Sequence, residues 1–271
     1  MDASSKVALI RGTGDVASAV AVFLRAAGFR VVLHDDPHPT HTRRGMAFAD
    51  ALYDGCSRLV GVLGKRVRTL DDLPHMVRCA KALPVTAMPF DAVTERLRAD
   101  VLIDARMRKR SVPESQRGLA RTTIGLGPNF EAGENIDIAI ETAWGAELGR
   151  PVLVGRTQAF AGEPMPLAGH ARDRFVYSPA VGVFRTARAI GDLVSAGDRV
   201  GEIDGNPICA PLTGCLRGLT HDGASVSEGT KIVEVDAGAD PSRVFGVSER
   251  PRRIARGVCQ ALGVEVLAVG E

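Results

Sequence analysis

The stretch from residue 7 to residue 18 constrains the fold of this chain more than any other. An apolar run at residues 7–10 leads into the turn Gly12-Thr13-Gly14. A second apolar pattern, with spacings of three and four, follows at once and closes at Gly28, which predicts an amphipathic helix. Residues 30–34 then predict a second strand. Strand, glycine turn, helix and strand form the first half of a nucleotide-binding βαβ unit.

The residues of this turn match the requirements of a phosphate site. Glycine at positions 12 and 14 allows a tight turn and lets backbone N–H groups approach a pyrophosphate at the positive end of the helix dipole. Asp35 follows Gly12 by 23 residues, close to the spacing of a ribose-hydroxyl acceptor. Asp15 opposes a phosphate, because it places a carboxylate in the first helical turn. The alternative is that the glycines serve packing alone. The predicted cofactor-binding residues here are Arg11, Gly12, Thr13, Gly14, Asp15 and Asp35.

Length and composition limit the class of protein. The 271 residues are enough for two domains, and 45% hydrophobic residues with 24% charged residues are ordinary for a globular protein. A net charge of +2 gives no reason to expect a nucleic-acid partner. No apolar run approaches membrane-spanning length and no signal-peptide pattern is present, so we expect a cytoplasmic protein with no membrane partner.

Cysteine and histidine usage predicts no metal site. The five cysteines are scattered and form no Cys-x-x-Cys pair, which indicates neither a disulfide framework nor zinc. His34, His38 and His41 lie near two carboxylates. Two prolines interrupt that segment and the spacing is not helical, so a metal-binding interpretation is disfavoured.

Alternating strand and helix patterns continue to residue 104, with helices predicted at 42–53 and 90–97. They predict a mostly parallel sheet with helices on both faces. Function in such sheets gathers at the carboxyl ends of the strands. Basic residues follow two predicted strands, at 43–44 and 106–110. They could hold an anionic group of a ligand, and the alternative is that they are solvated surface residues. A second glycine-rich stretch contains Gly-x-Gly-Pro128, which predicts a turn against a ligand or a purely structural turn. The further predicted cofactor-binding residues are Arg43, Arg44, Asp104, Arg106, Gly125, Gly127 and Asn129; no catalytic residue is predicted.

Residues 179–236 contain one pattern twice, displaced by 32 positions. Short strands with glycine turns, duplicated once, predict a small flattened barrel of two interlocked halves, similar to biotinyl and lipoyl carrier domains. Such carriers present a modified lysine between the halves. Residues 204–210 contain no lysine, which excludes covalent biotin or lipoate there, and Cys209 lies in that segment. The matching pairs include Pro179 and Pro211, Gly182 and Gly214, Arg185 and Arg217, Gly197 and Gly229, and Asp204 and Asp236.

The predicted fold class is α/β, with an N-terminal Rossmann-like parallel sheet and a C-terminal barrel-sandwich (biotinyl/lipoyl-like) β domain. The predicted Rossmann-like cofactor-binding domain covers residues 1–155 and is followed by a linker at 156–174. The duplicated β domain covers 175–237. Residues 238–271 are expected to form a helix at 248–262 and a strand at 264–269, which pack back on the main domain.

With these features assembled, the chain resembles the selenium-dependent molybdenum hydroxylase system protein family (YqeB-like). The N-terminal half also looks like the Rossmann part of the xanthine dehydrogenase accessory proteins of the XdhC and CoxI type. The selenium-dependent molybdenum hydroxylase system family is implicated in the maturation of molybdenum hydroxylases, through handling, sulfuration or insertion of the molybdenum cofactor. The resemblance implies no catalytic residue in this chain. The matching segments are residues 12–17, 39–40 with 43–44, 101–107, 124–128, 148–150 and the duplicated halves.

The resemblance implies an accessory protein, rather than an enzyme, that binds molybdenum cofactor or its dinucleotide form. Its partners would be the hydroxylase client and cofactor-biosynthesis proteins. The resemblance does not decide whether the protein forms a homo-oligomer. One alternative is an NAD(P)-dependent oxidoreductase, which the glycine turn and Asp35 favour but for which no Tyr-x-x-x-Lys motif is present. Another is a non-catalytic interaction module in which the duplicated domain docks a partner.

Overall fold

The structure, a computed structural model, describes residues 6–108, 111–160, 162 and 164–265. Within these ranges the helices are α1 (Asp15–Ala26), α2 (Ala51–Asp54), α3 (Asp72–Cys79), α4 (Phe90–Leu97) and α5 (Glu249–Ala261). The strands are β1 (Val7–Arg11), β2 (Arg30–His34), β3 (Cys56–Leu59), β4 (Val62–Val67), β5 (Leu83–Thr86), β6 (Val101–Asp104), β7 (Thr122–Leu126), β8 (Glu131–Ala132), β9 (Ile138–Ile140), β10 (Pro151–Val152), β11 (Gly155–Arg156), β12 (Phe175–Tyr177), β13 (Gly182–Arg185), β14 (Leu193–Val194), β15 (Arg199–Ile203), β16 (Asn206–Cys209), β17 (Gly214–Leu219), β18 (Ser225–Val226) and β19 (Lys231–Asp236).

One nine-stranded sheet forms the N-terminal part, in the order β10-β9-β7-β6-β1-β2-β5-β4-β3. Neighbours from β4 to β9 run parallel, while β3 and β10 at the two edges are antiparallel. The chain starts in the middle at β1, builds through β2 and β5 to one side, then returns to β6 and continues to the other. The reversal point between β1 and β6 is where open sheets of this kind form a crevice beyond the carboxyl ends of their strands.

The two faces of this sheet carry separate apolar cores. Ala8 and Ile10 of β1 face one core, to which α1 and α5 contribute, and Leu9 faces the opposite core with residues of α3 and α4. This follows from the alternation of side chains along a strand. Helix α1 is buried from Val16 through Leu24, because the sheet and α5 cover it from two sides. No helix in the described part of the chain has the length and apolar character needed to cross a membrane.

The predicted fold class is wrong as stated. The sheet has nine strands with antiparallel edges, and the connections from β6 to β7 and from β7 to β9 hold no helix among the described residues. Those connections are rich in charged residues, Gly, Pro and Ser, and they lack the apolar spacing that a crossover helix needs to cover a sheet. The later strands form two separate four-stranded sheets, not one barrel. The molecule is a mixed α/β protein with a large, mainly parallel sheet.

The duplicated pattern folds as two copies that exchange strands. The first copy supplies β13, β14 and β15, and the second supplies β17, β18 and β19. The short middle strand of each copy pairs in the other copy's sheet, β14 with β17 and β18 with β13. Leu193 faces Cys215 while Ser225 faces Val183, which are equivalent positions 32 residues apart. The exchange gives the two copies one shared apolar core.

Local predictions succeeded where apolar spacing was regular. The helix predicted at 90–97 is confirmed as α4, and the one predicted at 248–262 is α5. The helix expected over 42–53 is instead a 3-10 turn at Arg44–Met46 followed by the single-turn helix α2. A strand was expected over 264–269; residues 264–265 are not a strand, and 266–269 lie outside the described residues.

Helix α5 approaches the loop before β10 through two glycines. A Cβ on Gly257 would overlap the backbone carbonyl oxygen of Gly149, which cannot move aside like a flexible side chain. Gly257→Ala is therefore expected to lower the free energy of unfolding by about 3 kcal/mol in urea denaturation. Gln260→Ala, at an exposed position of the same helix, should change it by less than about 0.5 kcal/mol. Equal stability of the two variants would contradict this account of the contact.

Candidate functional site

A cleft of about 1630 Å³ lies beyond the carboxyl ends of the parallel strands, between the sheet and the C-terminal strands. Nine of its described lining residues are Arg or Lys and two are Asp or Glu, so the cleft is strongly positive. Five aromatic side chains that are at least partly exposed also line it: Trp144, Phe160, Phe175, Tyr177 and Phe245. Cationic donors beside aromatic rings suit an anionic ligand that carries a flat ring. Among the described residues, no group of three or more His, Cys, Asp or Glu is arranged to hold a metal.

One buried carboxylate, Glu234 of β19, organises the wall of this cleft. Its side chain is fully buried, and Arg43 donates to both of its oxygens at 3.0 Å. Lys231 lies 3.1 Å and Arg174 lies 3.5 Å from the same carboxylate. Arg43 also donates to Asp15 at 3.1 Å. Since Asp15 begins α1 and Glu234 belongs to the C-terminal strands, Arg43 joins the two parts of the molecule. We call the ion pair between Arg43 and Glu234 the clamp.

We call Arg43, Arg217, Lys231 and Arg250 the basic wall. Burial raises the pKa of Glu234, but attraction to Arg43 and Lys231 outweighs it, so the pKa lies well below its usual range. Burial lowers the pKa of Arg217, Lys231 and Arg250, and repulsion from Arg43 adds to the lowering in each case. The charged form of these three side chains is disfavoured in the free protein. An anion that binds beside them stabilises that charged form, so anion binding is favourable here.

The glycine turn after β1 is filled by the protein's own side chains. The backbone N–H and the hydroxyl of Thr13 both donate to Asp35, each at 2.6 Å. The ring of His41 lies against Gly14, and its Nε2 is 2.9 Å from the same Asp35 oxygen. Asp35 therefore holds the turn together, and its engaged oxygen is not presented to a ribose hydroxyl.

The positive end of α1 is occupied as well. One oxygen of Asp15 accepts from the N–H of Val16 at 3.0 Å, and the other accepts from Arg43. Burial raises the pKa of Asp15, but attraction to Arg43 and Arg250 outweighs it and the pKa is lowered. A phosphate placed at this helix end would meet an ionised carboxylate, so the favourable place for an anion is the basic wall.

Arg11, Asp104 and Arg106 form a separate network at the reversal point of the sheet. Arg106 donates to both oxygens of Asp104, and Arg11 and Arg106 reach Glu114 at 2.7 and 2.8 Å. The Arg11 guanidinium also lies 3.9 Å from the centre of the Phe90 ring. None of these five residues is among the described residues that line the cleft.

The other predicted residues have partners of their own. Arg44 donates through Nε to the last carbonyl oxygen of β17 at 2.8 Å. Gly125 is buried against an aromatic ring, and Gly127 has a φ of +115°, a conformation that favours glycine. Asn129 donates to the carbonyl oxygen of residue 111 at 3.1 Å. Lys109 and Arg110 of the predicted basic run lie outside the described residues.

Three predicted residues line the cleft: Gly14, Asp15 and Arg43. Sequence reasoning missed most of the site, because its cations come from the C-terminal strands and from α5. The repeat contained the signal that could have found it, since the two copies share an Arg, a basic residue and a Glu at equivalent positions. The missed residues are His41, Arg174, Arg217, Lys231, Glu234 and Arg250.

Only one copy of the repeat contributes to the site. Glu202 in the first copy corresponds to Glu234 in the second, but its side chain is 33% exposed while that of Glu234 is fully buried. The second copy has Gly218 where the first has Thr186. A Cβ on Gly218 would lie 3.1 Å from the Cβ of Thr42, so the small residue leaves room for the loop that carries the clamp arginine.

Comparison with known proteins gives one relative of unstated activity. No family model matches the chain. The chain is 35% identical over 257 residues to the Uncharacterized protein YqeB of Escherichia coli strain K12, and the match covers 95% of this chain and 47% of that protein. The chain thus spans about half the length of this curated relative.

Solved structures give weak likenesses. The product-bound ectoine utilization protein EutE (DoeB) from Ruegeria pomeroyi matches at 12% identity and a TM-score of 0.25, covering 86% of this chain and 85% of that one. An aspartoacylase family protein from Mesorhizobium loti matches at 8% identity and a TM-score of 0.25, covering 85% and 84%. A succinylglutamate desuccinylase from a Silicibacter species matches at 13% identity and a TM-score of 0.24, covering 85% and 84%. Likenesses at these scores carry no argument about activity.

The predicted family resemblance is corrected by these findings. The relative's name assigns no part in molybdenum enzyme maturation, and the similar structures reported above are not xanthine dehydrogenase accessory proteins. The assignment to the selenium-dependent molybdenum hydroxylase system family, the XdhC/CoxI-type likeness and the description as a molybdenum cofactor maturation chaperone are therefore wrong. Short glycine motifs recur in many α/β proteins and discriminate poorly between them. Binding of molybdenum cofactor or NAD(P), and the predicted partners, stay predictions.

Asp35 is expected to stabilise the glycine turn in a pH-dependent way. Burial raises its pKa, but the hydrogen bond and charge of His41, with the hydrogen bond from Thr13, lower it to about 2 from 3.8. A lowered folded-state pKa means that the stabilisation is present above about pH 4 and is lost as the pH falls toward 2. Asp35→Asn should cost about 2 kcal/mol at pH 7 in urea denaturation, with the difference from wild type vanishing near pH 2. The exposed neighbour offers the control: Asp36→Asn should leave stability nearly unchanged at both pH values.

The two copies of the repeat provide a matched test of the buried clamp. Glu234→Gln leaves the surrounding cations without their carboxylate and should lower the free energy of unfolding by about 3 to 5 kcal/mol. Glu202→Gln changes the equivalent, partly exposed ion pair and should cost less than about 1 kcal/mol. Urea denaturation of both variants measures the difference, and similar losses would show that the clamp has no special role.

Proposed function

We propose that this chain binds a small phosphate-bearing molecule with a heteroaromatic ring, of nucleotide type, in the cleft. It acts as a ligand-handling protein rather than as an enzyme. The observation that carries this proposal is the excess of positive charge on the cleft lining beside five aromatic rings that are at least partly exposed.

The phosphate would lie against the basic wall. Lys231 is 31% exposed and keeps donors beyond its contact with Glu234, and Arg250 uses its Nε on the carbonyl oxygen of Thr142. Arg217 has a buried Nε with no hydrogen-bond partner. A phosphate oxygen offers the acceptor that these groups lack, and charge-assisted hydrogen bonds are the strong ones.

The ring would lie against Trp144 of the cleft lining. Trp144 follows β9 at the carboxyl end of the sheet and is 42% exposed. Met107 and Pro128 also line the cleft. Flat apolar surface of this kind binds a heteroaromatic ring by stacking and by displacing water.

An NAD(P)-dependent dehydrogenase is a less favourable interpretation of this geometry. Asp35, the residue expected to accept from a ribose hydroxyl, already accepts from Thr13 and contacts His41. The positive end of α1 holds the carboxylate of Asp15 where a pyrophosphate would lie. The ligand of the cleft is therefore expected to avoid the glycine turn.

We also propose that the protein works in the cytoplasm. All five cysteines are free thiols. Three of them are exposed, and free exposed thiols suit a reducing compartment. Secretion of the folded protein with these thiols oxidised would contradict the proposal.

Calorimetry with ADP and with adenosine tests the cleft. ADP should bind and adenosine should bind at least about tenfold more weakly, because it lacks the phosphates that meet the basic wall. Lys231→Gln should weaken ADP binding by a factor of about ten or more, whereas Arg199→Gln, its equivalent in the exposed copy, should leave it unchanged. Mass spectrometry of molecules released from natively purified protein identifies the natural ligand. No bound phosphate compound by either method would favour a pure interaction module instead.

A further inference from the structure

We propose a second anion site, formed by Arg11, Arg106 and Arg108 at the reversal point of the sheet. It takes a phosphate group or another small oxyanion, and Glu114 now occupies it as an internal carboxylate. The site goes beyond the nucleotide function of the cleft. Arg108 lies at its border with the cleft, whereas Arg11 and Arg106 do not line the cleft.

Three guanidinium groups converge on this one carboxylate. Arg11 and Arg106 lie 2.7 and 2.8 Å from the same oxygen of Glu114, and Arg108 lies 3.5 Å from the other. The side chains of Arg11 and Arg106 are only 11% and 13% exposed, whereas that of Glu114 is 50% exposed. The cations are thus part of the folded framework, and the carboxylate reaches them from the surface.

The carboxylate does not satisfy all of the donors. The Nε of Arg11 is buried and has no hydrogen-bond partner. A planar carboxylate has two oxygens, while a phosphate presents more acceptors in a tetrahedral arrangement that several guanidinium groups can share. Buried donors are rarely left without a partner, so the orphaned Nε points to a ligand with more oxygens than Glu114 supplies.

The position and rigidity of the cluster support a binding role. Arg11 ends β1 and Asp104 ends the neighbouring strand β6, which are the two strands at the reversal point, where open α/β sheets bind their ligands. The ring of Phe90 lies under the Arg11 guanidinium at 3.9 Å, and both oxygens of Asp104 accept hydrogen bonds from the Arg106 side chain. Arginines held in this way lose little further freedom when they bind an anion.

Charge also favours exchange of Glu114 for a ligand. Three guanidinium groups and the two carboxylates of Asp104 and Glu114 leave a formal charge of +1, which becomes +2 when Glu114 leaves. Burial raises the pKa of Glu114, but its own backbone N–H and Arg106 lower it to about 2. Glu114 is therefore an anion at neutral pH and competes directly with an external one.

Phosphate titration by calorimetry tests the site. Every protein compared carries Lys231→Gln, which weakens phosphate binding in the cleft. Glu114→Gln should bind inorganic phosphate at least about tenfold more tightly than the Lys231→Gln parent, because the competing charge is gone. Adding Arg11→Met should abolish that gain. Glu131→Gln removes an acid that pairs with a single exposed arginine and should produce no gain. Unchanged phosphate affinity in folded Glu114→Gln, or a gain that survives Arg11→Met, overturns the proposal.

The wild-type protein provides a second measurement that needs no variant to fold. Phosphate should slow phenylglyoxal modification of Arg106 at least about threefold, because the bound anion covers its guanidinium group. Peptide mass spectrometry measures the rate, and Arg106 is the reporter because Arg108 also lines the cleft. Arg156, exposed and paired with one carboxylate, is the internal control and should be modified at an unchanged rate. Absence of selective protection at saturating phosphate overturns the proposal. Loss of ADP binding at the cleft with protection intact would reject the nucleotide function alone.

Discussion

The ion pair between Glu234 and Arg43 is the interaction on which the arrangement of this molecule depends. A carboxylate with no exposed surface is costly unless cations and hydrogen bonds compensate it, and Arg43 supplies two hydrogen bonds from a loop of the other half of the molecule. The sheet and the C-terminal strands are therefore held in one relative position. Residues of both parts line the cleft, and Arg43 is one of them. Asp15, the second carboxylate on Arg43, places the first turn of α1 at the same point.

This arrangement moves the chemistry of the cleft away from the glycine turn. In a phosphate-binding turn the backbone N–H groups and the helix end are free to receive the ligand. Here Thr13 is bonded to Asp35, and Asp15 fills the helix end. The excess of positive charge lies instead at Arg217, Lys231 and Arg250, of which the first two share the single carboxylate of Glu234 with other cations. Burial, with repulsion from Arg43, lowers the pKa of all three. A ligand anion at the basic wall would neutralise part of this excess positive charge.

Local pattern predicted local structure well. The β1, turn, α1 and β2 sequence and the helices α4 and α5 follow from apolar spacing and from glycine at the ends, which depend on near neighbours only. Residues 42–53 failed as a helix because Arg43 and Arg44 are pulled toward partners in the C-terminal strands, and their loop folds to reach them. The fold class failed because glycine motifs do not specify how many strands a sheet has or what closes its edges. The site was found only at Gly14, Asp15 and Arg43, the members that lie in the motif or directly after it.

The sequence by itself determined the glycine turn, the alternation of strand and helix, and the duplication with its period of 32 residues. Each of these is a relation between residues close in the chain or between two copies of one segment. Only the tertiary structure decided that Glu234 is buried and Glu202 is not, and that Asp35 serves the turn rather than a ligand. The physical reason is that the environment of a charge depends on what lies across from it. The partner of Glu234 is 191 residues away in the chain, and no local pattern contains that contact.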